Sequence, residues 1–149
     1  MAPLNFKGAV TITFIGTATA TVEIDGVNFL TDPFFSPAGT EWDLGITVLK
    51  TIDTPPLSLR DLPPIDAVLL SHEDHPDNLD ELGRHLLDDR KVITTMDGTR
   101  KLHPRPGVRG IHPWETVMLE VRRKALRGHW YPLSAPTRWR VHWIYPNSA

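Results

Sequence analysis

The sixteen residues from Ala9 to Ile24, Ala-Val-Thr-Ile-Thr-Phe-Ile-Gly-Thr-Ala-Thr-Ala-Thr-Val-Glu-Ile, constrain the fold more than any other stretch of the 149-residue chain. Apolar or β-branched residues alternate there with Thr on a period of two, the pattern of paired strands that bury one face. Asp25-Gly26 then supplies a two-residue hairpin turn. Residues 27–31 form the return strand, which ends where Pro33 and Pro37 of Asp32-Pro-Phe-Phe-Ser-Pro37 remove ladder donors.

Beyond this meander the pattern changes. Residues 36–64 are rich in Pro, Gly and Thr and read as a long loop, a length that is usually functional or disordered. Ile65-Asp-Ala-Val-Leu-Leu70 is a nearly continuous apolar run, the mark of a strand covered on both faces. Leu79, Leu82, Leu86 and Leu87 recur at helical spacing behind a cap at Asp77 or Asn78. Lys91–Thr95 and Thr116–Val121 are further strands, with a turn expected at Asp97-Gly98. Strands alternating with helices argue for an α/β layered domain.

Composition excludes several chemistries. The chain has no cysteine, so disulfide scaffolds, thiolate metal sites and cysteine nucleophiles are out. No apolar run approaches the roughly 20 residues of a membrane span, and the first residues show no charged-then-apolar signal pattern. The expectation is a cytoplasmic protein without a membrane span. The net charge of −2 conceals a break, because all 18 acidic residues lie at or before Glu120 while six of the 16 basic ones follow it. Three of the five tryptophans, Trp130, Trp139 and Trp143, also fall in that basic tail. We therefore expect a domain over residues 1–121 and an atypical tail over 122–149. Basic and aromatic residues interleaved in this way can stack on nucleic acid, but the overall charge is not the footprint of such binding, and none is expected.

The residues that carry chemistry converge just after the buried strand, in Ser71-His-Glu-Asp-His-Pro-Asp-Asn-Leu-Asp80. Ligands sit at the C-terminal edge of strands in α/β folds. Imidazole nitrogen and carboxylate oxygen are ligands that Zn²⁺, Mn²⁺ and Fe²⁺ accept. The plainer reading is an acidic helix N-terminus, which suits Asp74, Asp77 and Asp80 because carboxylates are stabilised there. It leaves His72 and His75 without a reason. His85, His103 and His112 read as surface or loop residues, Trp114 as packing, and Arg100, Lys101, Arg105 and Arg109 as a solvated basic loop.

Three segments in register, Phe14-Ile-Gly-Thr-Ala-Thr-Ala-Thr-Val-Glu-Ile-Asp-Gly26, Leu30-Thr-Asp-Pro-Phe-Phe-Ser36 and Val68-Leu-Leu-Ser-His-Glu-Asp-His-Pro-Asp-Asn-Leu-Asp80, resemble the metallo-β-lactamase-fold hydrolases. The similar branch contains the ascorbate-6-phosphate lactonase and the phospholipase D acting on N-acylphosphatidylethanolamine. The resemblance covers about residues 10–121 and implies an αββα four-layer sandwich, of which the chain would supply the N-terminal half. It also implies one or two divalent ions and hydrolysis of an ester, lactone or phosphodiester of a small-molecule substrate by a metal-activated water. The family pattern His-x-His-x-Asp-His is met with one extra residue, so that His72, Asp74, His75 and Asp77 become the metal ligands. Asp77 is also the catalytic, water-orienting base. Asp32 and Asn78 stand behind them, and Asn78 in a histidine's place favours a single ion or a harder one such as Mn²⁺.

The other ligands of the family have no counterpart in residues 122–149. A one-base shift of frame turns every Trp codon into Gly and permits a Thr-Pro-x-x-His element within 129–143, so the tail is expected to be out of frame. A sheet lacking its covering layer would aggregate, fold poorly or recruit a partner, such as a second copy of the chain in a homo-oligomer. The rival expectation is an inactive member of the family that serves as a binding or dimerising module.

Overall fold

The computed structural model describes residues 9–121 and the backbone of 124–129. The expected tail of residues 122–149 therefore lies largely outside the described residues, and with it the out-of-frame expectation. The opening run folds as β1 (Val10–Gly16), β2 (Thr19–Ile24) and β3 (Val27–Thr31), an antiparallel meander. Asp25 and Gly26 take φ values of 50° and 77° in the β2–β3 turn, which is why Asp-Gly is favoured there.

Three parallel strands extend the sheet: β6 (Ala67–Leu69) beside β3, then β7 (Lys91–Thr95) and β8 (Val108–Ile111). The six-stranded order is β1-β2-β3-β6-β7-β8. Two small hairpins accompany it, β4 (Glu41–Asp43) with β5 (Val48–Lys50), and β9 (Thr116–Val121) with β10 (Lys124–His129). The architecture is thus mixed α and β and dominated by sheet.

Neighbouring residues on the central strands bury opposite faces. Leu30, Val68 and Val92 join Leu79, Leu86, Leu87 and Leu102 in one apolar cluster beneath the helices α1 (Glu81–Leu86) and α2 (Met96–Leu102). Phe29 and Leu69 face the other way, where Leu119 of β9 packs against both groups of buried residues on that side. Burial on both faces explains the continuous apolar run of β6.

Several local expectations need correction. The cap of α1 is Asp80, whose carboxylate accepts from Gly83 N, and not Asp77 or Asn78. Leu79 precedes the helix, and Leu82 points outward. Asp97-Gly98 lies inside α2, because the Thr95 side chain accepts from Gly98 N and starts a helix where a turn was expected. Arg100 and Lys101 are consequently helical. The β4–β5 hairpin interrupts the long loop. Trp114, at φ 67°, is 62% exposed and does not pack in the core. The strand β1 is an edge whose residues 10–14 are exposed on both faces, so the one-buried-face rule holds only from Ile15 onward.

Candidate metal centre

The loop that leaves β6 is pinned to the end of β3. Asp32, at φ 34°, donates its N–H to Leu69 O at 3.1 Å, and its buried carboxylate accepts from Ser71 N at 2.6 Å. Its own carbonyl accepts from Thr19 Oγ1 at 2.6 Å. Burial pushes the Asp32 carboxyl above the usual carboxylate range, against the opposing pull of the Ser71 amide and hydroxyl, His72 and Asn78.

Ser71 passes this anchoring on to the histidine. Its Oγ lies 2.8 Å from His72 Nδ1 and accepts from Asn78 Nδ2 at 3.2 Å. With the hydroxyl proton directed to Asp32, Ser71 Oγ accepts Nδ1–H of His72 and leaves Nε2 with its lone pair, the arrangement of a ligating imidazole oriented from behind.

His72 Nε2 is 3.1 Å from His75 Nδ1, and the two rings meet edge to face. Together with a carboxylate oxygen of Asp74, the donor atoms of these residues lie within 4.8 Å of one another. Two imidazoles and one carboxylate at that spacing fit a divalent cation, whose bonds of about 2.0–2.2 Å need only small side-chain movements to close. Burial pushes the Asp74 carboxyl up, but its own backbone amide, Lys101 and the two histidines outweigh that and hold it below the usual range.

Among the residues expected at the site, His72, Asp74 and His75 are thus brought together, while Asp32 and Asn78 support them through Ser71. Asp77 stands apart from the three and borders a cavity of about 620 Å³ walled by Phe14, Phe34, Trp42, Leu49 and Ile52. Phe34 and Trp42 lie with ring centres 5.8 Å apart, joining the loop after β3 to the β4–β5 hairpin. His85 is on the surface beside Glu81, as its position on α1 suggested. Sequence reasoning missed Ser71, Glu73 and Lys101. Only the adjacency of Ser71 to His72, and the four-residue spacing of Asp97 and Lys101, could have pointed to them.

No protein-family model matches the chain. An uncharacterised protein of Mycobacterium tuberculosis is 41% identical over 69 residues, which is 46% of this chain and 18% of that protein. The N-acyl-phosphatidylethanolamine-hydrolyzing phospholipase D 1 of Caenorhabditis elegans is 38% identical over 68 residues, again 46% of this chain and 18% of that one. The matched segment is therefore under a fifth of these curated relatives. Among solved structures, a possible metal-dependent hydrolase from Veillonella parvula superposes with a TM-score of 0.60 at 27% identity, over 80% of this chain and 47% of that one. A metallo hydrolase from the archaeon Ignicoccus hospitalis gives a TM-score of 0.62 at 19% identity, over 90% of this chain and 53% of that one. The chain spans about half the length of these structures. Its structural neighbours thus include metal-dependent hydrolases of the metallo-β-lactamase fold.

Proposed function

We propose that the chain contributes a divalent-metal centre to a hydrolase acting on an ester, lactone or phosphodiester of a small molecule. The observation that carries this reading is the His72, Asp74 and His75 cluster, with donor atoms within 4.8 Å of one another on the loop after β6. In this reading the layers described above belong to an αββα sandwich, residues 1–121 form the domain, and the protein works in the cytoplasm.

His72, His75 and Asp74 would hold the ion, with Asp77 as a fourth candidate. The ion, Zn²⁺, Mn²⁺ or Fe²⁺, supplies Lewis acidity that lowers the pKa of a water towards neutrality and polarises the scissile group. Asp32 and Asn78 fix Ser71, and Ser71 fixes the His72 ring so that Nε2 faces the cluster. Asp77, at the cavity edge, accepts a proton from the attacking water at its carboxylate. The apolar walls of Phe14, Phe34, Trp42, Leu49 and Ile52 receive the rest of the substrate.

The test is metal content of the purified protein by elemental analysis, beside a His72→Ala/His75→Ala double variant. Near-stoichiometric metal that the variant loses is the expected result. Protein that stays metal-free with added Mn²⁺ or Zn²⁺ would overturn the reading. Hydrolysis of lactone, ester and phosphodiester panels then identifies the substrate class.

A further inference from the structure

We propose that Lys101 is the positioning residue of the 72–75 loop, acting through the buried carboxylate of Glu73. What it means for metal uptake rests on the reading above. The placement of the loop does not.

Glu73 lies between two candidate ligands yet turns the opposite way. It is 4% exposed, whereas Asp74 and His75 are open to solvent. The Lys101 ammonium stands 2.9 Å from Glu73 Oε1, which has no other polar partner among the described residues. On the other side, Glu73 Oε2 comes so close to α2 that a Cβ on Gly98 would sit 3.1 Å from it, and 2.6 Å from Thr94 Oγ1. The main chain is held as well, because Arg84 Nη2 donates to the Glu73 carbonyl.

Lys101 is itself fixed from its own helix. Asp97, one turn earlier, lies 2.9 Å from its Nζ, and the next residue, Leu102, is buried in the core. The same Nζ is 3.6 Å from Asp74 Oδ2. One cation therefore ties two consecutive loop carboxylates to a helix anchored in the core through Leu102. A buried carboxylate that loses its counter-charge is strongly disfavoured and is drawn towards water. Swinging Glu73 outward would rotate the main chain on both sides of it and carry His72 and Asp74 out of register.

A plainer role for Lys101 is an Asp97–Lys101 pair that merely supports α2. The two roles separate in the metal-free protein. Ring ¹⁵N spectra of His72 and His75 should be compared in the parent chain and in Lys101→Met, Lys101→Arg and Asp97→Asn variants. The His72 and His75 signals should change in Lys101→Met, return towards the parent in Lys101→Arg, and move far less in Asp97→Asn than in Lys101→Met, because Lys101 still faces Glu73 there. Should Lys101→Met fail to fold, a Lys101→Gln variant removes the counter-charge but keeps a hydrogen-bond donor on the side chain, and the same ring signals should move. Unchanged His72 and His75 spectra in whichever of the Met and Gln variants folds would overturn the proposal.

Titration with Co²⁺ adds the functional consequence, an affinity loss of about tenfold or more in Lys101→Met. If the parent chain takes up no Co²⁺, the metal reading fails while the ring spectra still decide the role of Lys101.

Discussion

His72 Nε2 and His75 Nδ1 stand 3.1 Å apart, with ring planes at 84°. Two ring nitrogens at this distance either share one proton or turn slightly to share one cation. Metal binding should therefore replace a single weak contact with two strong ones while the backbone stays still. We expect His72→Ala and His75→Ala each to abolish near-stoichiometric uptake of Zn²⁺ or Mn²⁺ in calorimetric titrations. Asp74→Ala should weaken uptake more mildly, on the order of tenfold or about 1.4 kcal/mol, because both imidazoles remain to hold the ion.

Asp77 separates binding from chemistry. It borders the cavity but lies outside the group of three whose donor atoms converge. Asp77→Asn should keep most of the metal and lower turnover by about 10²–10⁴-fold, the range for loss of a positioned base. Equal loss of metal and turnover would make Asp77 a ligand first and a base second.

Asp80 matters for stability rather than chemistry. Its buried carboxylate accepts from Phe35 N at 2.8 Å, Ser36 Oγ at 2.6 Å and Gly83 N at 2.7 Å, joining the loop after β3 to the start of α1. Removing it orphans three donors and uncaps a helix, for an expected cost of about 2–4 kcal/mol. Chemical denaturation of Asp80→Ala should show that loss, and Asp80→Asn should recover part of it.

These carboxylates mark how far the sequence could be read. The Thr-alternating run and Asp25-Gly26 announced the meander, because a period of two and a positive-φ turn are local properties. The His and Asp cluster was visible for the same reason, since His72, Asp74 and His75 are near neighbours in the chain. The helix starts were not. Asp80 caps α1 because Phe35 and Ser36 hold its carboxylate in place, and that contact spans about 45 positions. In the sequence Glu73 is simply one more acid in an acidic run. Only the approach of α2, with Gly98 leaving room and Lys101 supplying charge, turns it inward.

The raised Asp32 carboxyl gives the acid limb of the stability curve an unusual component. Burial disfavours its charged form in the folded state, so its folded pKa lies above the unfolded value of about 3.9. The folded chain therefore binds more protons at this residue, and the contribution of Asp32 to stability improves as pH falls through its folded pKa towards the unfolded one. Asp61 and Asp97, held low by hydrogen bonds from Ser58 and from Lys101 and Arg100 respectively, act in the opposite sense and lose stabilisation on acidification. In urea titrations, Asp32→Asn keeps the acceptor for Ser71 N and removes the buried charge. The variant should match or exceed the parent near neutral pH, and its advantage should shrink as the pH is lowered.

The edge strand β1 makes the last prediction. Ile12 and Phe14 project from it at 65% and 69% exposure, and Val10 at 43%. Their partners across the β1–β2 ladder are Ile24, Val22 and Ala20, so the apolar face continues into the sheet towards Phe29 and Leu69. An apolar edge of this kind pairs readily with another copy, and no lysine or proline within β1 blunts it. We expect the parent chain to self-associate with rising concentration in sedimentation equilibrium. Ile12→Lys, which places a charge at the centre of the edge and touches none of the buried clusters, should shift it towards the monomer while leaving thermal unfolding nearly unchanged. Association insensitive to Ile12→Lys would place the contact on another face of the molecule.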